Sequence, residues 1–95
     1  MPEMRFLVRW PDGSASSCYS PSLVVKDYLT AGESYGLSDF VERSRTALGI
    51  ASDRVEAKYG FPCSRAAGQI AAIQAAAERF AGIPDARVTV QSFVE

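Results

Sequence analysis

Cys63, Ser64 and Arg65 stand side by side and bring together a thiol, a hydroxyl and a fixed positive charge. If a helix starts with Ser64 as its N-cap, the free backbone N–H groups of its first turn point out beyond its end. Those amides and the Arg65 guanidinium favour negative charge there, which makes Ser64 and Arg65 a candidate site for a phosphate or carboxylate. The same field lowers a thiol pKa. Cys63 therefore reads either as a reactive or redox-sensing thiol or as a small apolar residue packed beside Phe61. Cys18 is distant in sequence and lacks Cys-x-x-Cys spacing, so a reversible Cys18–Cys63 pair would need folding to bring the two together.

The 95 residues contain no histidine. Ser-His and Cys-His nucleophiles are excluded by that absence, and the usual zinc and non-haem iron sites lose their commonest ligand. Asp39, Glu42, Asp53 and Glu56 are interleaved with Arg43, Arg45 and Arg54. That is the pattern of a solvated helix face with pairs such as Asp39–Arg43, not of paired catalytic acids. No catalytic residue is assigned, and no metal or cofactor is expected. Trp10, Tyr19, Tyr28 and Tyr35 gather around a hairpin end and the loop after it. Tyr19, Tyr28 and Tyr35 are the candidate interaction surface, with ordinary core and surface packing as the alternative.

The elements that must position these groups follow from periodicity. Residues 4–10 alternate, with Met4, Phe6, Val8 and Trp10 on one side, the signature of a half-buried strand. Pro11-Asp12-Gly13 suits a tight turn with glycine in the left-handed conformation. Pairing Trp10 with Ser14 places Cys18 opposite Phe6 on the core face of a second strand at 14–19. Ser20-Pro21 then reads as the start of a short helix, though Leu23-Val24-Val25 could equally extend the strand, and 30–36 reads as loop. Apolar residues from Leu37 to Tyr59 recur at three- and four-residue spacing, an amphipathic helix of about six turns capped by Ser38. Gly49 is a candidate bend, and Ser52-Asp53 a candidate restart. Gly60-Phe61-Pro62 ends that helix. A third helix follows Ser64, with Ala66, Ile70, Ile73, Ala77 and Phe80 as its stripe. Residues 87–94 alternate as a last strand, with Val88, Val90 and Val94 on one face.

The order β-β-α-α-α-β predicts one α+β domain over 1–95. It is a two-layer sandwich: the hairpin and the C-terminal strand form a three-stranded sheet, and two or three helices pack on one face. Net charge is −1 and the basic residues are scattered, so neither nucleic acid nor an anionic membrane is an expected partner. So low a charge does little to keep copies apart, and a homodimer is a natural outcome. No segment reads as a signal peptide or a membrane span, and the cytoplasm is the expected compartment.

Three segments, MPEMRFLVRWPDG, CYSPSLVVKDYL and SRTALGIASDRVEAKYGFPCS, together resemble a family of small bacterial nitrogen starvation response proteins. The genes of that family accompany nitrilase-associated clusters with a radical-SAM protein, an acetyltransferase-like protein and a flavoprotein. The resemblance implies a bacterial cytoplasm, nitrile or nitrogen metabolism, and protein partners. It implies no catalytic residues. The expected function is a non-catalytic accessory module that binds a protein partner or itself. The alternatives are a binding protein for an anionic metabolite near Ser64, Arg65 and the 30–36 loop, and a small Cys63-dependent enzyme or redox sensor.

Overall fold

A computed structural model describes residues 2–95. Strands β1 (Met4–Arg9) and β2 (Ala15–Ser20) lead into a 3-10 turn at Leu23–Asp27. Strand β3 (Ser34–Gly36), helices α1 (Leu37–Tyr59) and α2 (Ser64–Glu78), and strand β4 (Arg87–Val94) complete the chain. The sheet is four-stranded and antiparallel in the order β2-β1-β4-β3. Both helices pack on one face of it, and the other face is open.

The hairpin forms as its residues dictate. Gly13 takes φ 88°, and Trp10 and Ser14 close the turn with a 2.8 Å N–H to carbonyl bond. Phe6 lies opposite Cys18 as the turn length requires. Met4, Phe6, Val8, Trp10 and Cys18 all face the helices and are buried. Trp10 stacks on Phe80 at 5.9 Å and meets Phe40 edge-on at 5.6 Å, and its indole N–H donates to Ser16 Oγ. Burial of each such side chain contributes roughly 1.5–3 kcal/mol. The remainder of the core comes from Val25, Leu29, Phe40, Leu48, Ile73, Val88 and Val90.

Four expectations are corrected. The sheet has a fourth strand, because Ser34–Gly36, expected as loop, pairs with Arg87–Thr89. Three residues are too short a run to show a periodicity, so only the β4 side of that pairing is announced by its sequence. The short helix is a 3-10 turn capped by Ser22, whose hydroxyl accepts from the Val24 N–H, and Ser20 lies in β2. Ser38 and Ser64 are helical residues, not caps: the N-cap positions belong to Gly36 and Cys63. At Leu37 the backbone carbonyl of Ala86 takes the N–H at 3.0 Å, which relieves the helix of a side-chain cap. Finally, a bulge shifts the register of β1 against β4 between Leu7 and Val8, leaving Gln91 as the extra residue. One extra residue reverses the parity, so Phe93 turns toward the core and Val94 is exposed, away from Val88 and Val90.

Helix α1 is continuous for 23 residues, through both Gly49 and Ser52-Asp53. Ser52 has another use: its hydroxyl accepts the Cys63 N–H at 3.1 Å and ties the two helices together at their corner.

Candidate functional site

The corner where α2 begins carries the sequence-predicted chemistry. Cys63 occupies the N-cap position with extended backbone, and its thiol is half-buried. Arg65, in the first turn, extends over the Tyr19 ring with its guanidinium carbon 3.8 Å from the centroid. The guanidinium also lies 3.7 Å from a Glu3 carboxylate oxygen, which accepts the Tyr19 hydroxyl at 3.1 Å. Desolvation of the Tyr19 phenol, followed by its bond to Glu3, raises its pKa above the ordinary value. The chain thus supplies its own carboxylate beside Arg65, and a foreign anion would have to displace Glu3. Ser64 is exposed at the first helical position.

Cys18 is sealed beneath the helices, and burial pushes its thiol up to about 12 against the opposing charge of Arg5. At neutral pH it is a neutral, packed side chain. Both cysteines are free.

The three tyrosines do not form one patch. Tyr19 sits on β2 and Tyr35 on β3, the two outer strands of the sheet. Three strand spacings, about 14 Å, separate those edges. Tyr28 and Tyr35 are brought together by Arg43, which donates to the Tyr28 carbonyl at 3.0 Å and lies 5.0 Å over the Tyr35 ring. The Tyr35 hydroxyl in turn accepts the Thr30 N–H at 2.8 Å. The 30–36 segment and Arg65 are likewise at opposite edges, so they line no common cavity.

A feature the sequence reading missed is the open face of the sheet. None of the chain's acidic residues lies in a strand, while Arg5, Arg9 and Arg87 do. The register places all three on the face away from the helices, with Leu7, Thr89 and Ser92 among them and Ser17 beside Leu7 on β2. Their partners are neutral. Arg9 donates to the Gly13 carbonyl, and to Gln91 when that amide oxygen faces it. Arg87 donates to the Ser34 hydroxyl and carbonyl at 2.7 and 2.8 Å. Among the described residues no carboxylate forms an ion pair with Arg5, Arg9 or Arg87. These bonds fix the guanidinium groups without cancelling their charge. Alternation in β1 was a sufficient signal for Arg5 and Arg9. Arg87 joins them only through the strand order, which the sequence does not display.

Among the described residues no group of three or more potential ligands could hold a metal ion. No described helix is long and apolar enough to cross a membrane. A family model described as nitrogen starvation-induced protein NitG matches residues 5–93. Neither the curated proteins nor the solved structures provide a match.

Proposed function

This chain belongs to the NitG family of nitrogen starvation-induced proteins, and from that premise we propose that it is a non-catalytic interaction module. It serves nitrogen or nitrile metabolism in a bacterial cytoplasm by receiving an acidic surface of a partner protein on its open sheet face. The observation that carries this reading is the charge of that face: three arginines without an ion-pair partner, Arg9 and Arg87 held by neutral groups, and no carboxylate in any strand. Such a face steers an acidic partner and fixes its orientation, more than it supplies raw affinity. An anionic metabolite at Ser64 and Arg65 has less support, because Glu3 already sits beside that guanidinium.

The test is co-expression with each product of a neighbouring nitrilase-associated gene cluster, followed by measurement of the mass of the purified complex. The expected result is an intact complex with one of them that weakens as salt rises. Arg5→Glu/Arg87→Glu should weaken it at least tenfold. A complex indifferent to both charge reversals, or no complex with any cluster product, would overturn the proposal.

A further inference from the structure

The helical hairpin is apolar at both ends: aromatic side chains project from one, and the other carries a groove. The buried residues of α1 stop at Ala51, so its last two turns run on beyond the core. The left-handed Gly60 turns the chain sharply there, at φ 90°. At this tip Tyr59 is 55% exposed and Phe61 66%, the highest values among the exposed large hydrophobic residues. The ammonium of Lys58 lies 5.5 Å over the Tyr59 ring.

At the base of the hairpin, where α1 begins and α2 ends, lies a groove of about 500 Å³. Leu37, Val41, Ala77 and Ala81 give it apolar walls, and Ser38, Gln74 and Glu78 complete the lining. A second hollow of about 360 Å³ shares Leu37, Ser38 and Ala81 and adds the exposed Ile83. At a rise of about 1.5 Å per residue, Tyr59 is about 27 Å along the helix from Val41. No copy can fill its own groove with its own tip.

We infer that a second copy of this chain fills it: the Tyr59–Phe61 tip of one molecule seats in the Leu37–Val41–Ala77–Ala81 groove of the next. The groove is large enough for an aromatic ring, and its alanine wall allows the ring close approach. Charge supports the same register, since Lys58 adjoins the tip and Glu78 the groove. Among the described residues neither of them has an ion-pair partner of its own. A net charge of −1 opposes self-association little. Two partly exposed aromatics and their seat bury a few hundred Å² per partner, short of the roughly 800 Å² of a standard interface. The contact is accordingly weak. Because tip and groove are different surfaces, association continues past the dimer unless two copies lie antiparallel, each tip in the other's groove, and close a two-fold pair. This inference rests on the interaction-module reading and extends it to a second surface, leaving the sheet face free.

Sedimentation velocity on the purified chain across about 10 μM to 1 mM tests it. The average mass of the wild type should climb above that of the monomer as concentration rises. Phe61→Ser, with a blunted tip, and Ala81→Arg, with a blocked groove, should each stay monomeric. Mixed in equal amounts they retain one intact tip and one intact groove, and should form a dimer of twice the monomer mass and nothing larger. Both positions are exposed; Tyr59→Ser and Ser38→Arg form a second pair if either variant folds poorly. A wild type that stays monomeric throughout overturns the inference. So does either variant that still associates alone, because a tip-to-tip or groove-to-groove contact would survive one of the changes. Failure here is distinguishable from failure of the sheet-face proposal, whose complex depends on Arg5 and Arg87 and is unaffected by Phe61→Ser.

Discussion

Ser44 is fully buried on α1, and its hydroxyl has no hydrogen-bond partner, which makes Ser44→Ala a stabilising substitution. A hydroxyl taken out of water without a partner costs about 1–3 kcal/mol. Removing it leaves a void smaller than a methyl group, which returns less than about 1 kcal/mol of that gain. Alanine adds about 0.5 kcal/mol through helix propensity. The net expectation is a gain of about 1–2 kcal/mol, and for a chain of this size a Tm higher by at least about 4 °C. Urea unfolding followed by fluorescence of the buried Trp10 measures it directly. The other two buried serines provide the contrast. Ser22 Oγ accepts from the Val24 N–H and from Arg54, and Ser20 Oγ donates to the Ser22 carbonyl at 2.7 Å. Ser20→Ala and Ser22→Ala should each cost about 1–2 kcal/mol. If Ser44→Ala also lowers the urea midpoint, Ser44 has a partner, with the Phe40 carbonyl one turn back as the natural acceptor, and the reasoning fails.

Four more outcomes are expected. At neutral pH a disulfide reagent should label only Cys63 in the folded protein, with Cys18 reacting after denaturant is added. Cys18 has a folded pKa raised to about 12 from an ordinary 9.0, so the unfolded thiol loses its proton first. Its contribution to stability is complete below about pH 9 and is lost as pH rises toward 12; Cys18→Ala should flatten that alkaline decline in the urea midpoint. Gly60→Ala and Gly49→Ala should have opposite signs, although an added Cβ meets nothing within 4 Å at either site. The first forces alanine to φ 90° and costs about 1 kcal/mol, whereas the second sits within α1 and gains about 1 kcal/mol, both readable by thermal unfolding. Gln69→Ala should cost about 1 kcal/mol and increase association at high concentration in light scattering, because the Gln69 oxygen occupies the outward Tyr19 N–H of edge strand β2.

Local rules were legible wherever the residues themselves enforce them. Alternation and the Pro-Asp-Gly turn determine the hairpin and its register, and the glycine after Tyr59 ends α1 as expected. What was not legible depends on partners distant in sequence. Strand β3 is three residues long and exists only because β4 lies beside it. The bulge at Gln91 appears only when β1 and β4 are aligned, so the parity of Val94 could not be read from β4 alone. Sequence marked Arg65 as an anion ligand, but its neighbours Tyr19 and Glu3 arrive by folding. In sequence Phe61 reads as a packing neighbour of Cys63. It is exposed because α1 outruns the layer that would cover it, a matter of relative element length.

Strand β4 comes last in the chain yet lies inside the sheet, between β1 and β3. On a ribosome this inverts the usual order of assembly. The hairpin emerges first, but its β1 edge has no neighbour until residues 87–94 have been made. At roughly 5–20 residues per second that wait lasts several seconds. Throughout it the nascent chain presents the apolar side of Phe6 and Val8 beside an unpaired strand edge, the condition in which a chaperone binds or neighbouring chains stick. Closure of the sheet is therefore a single late event: one strand, inserted between two that are already made, joins them after the helices have left the tunnel.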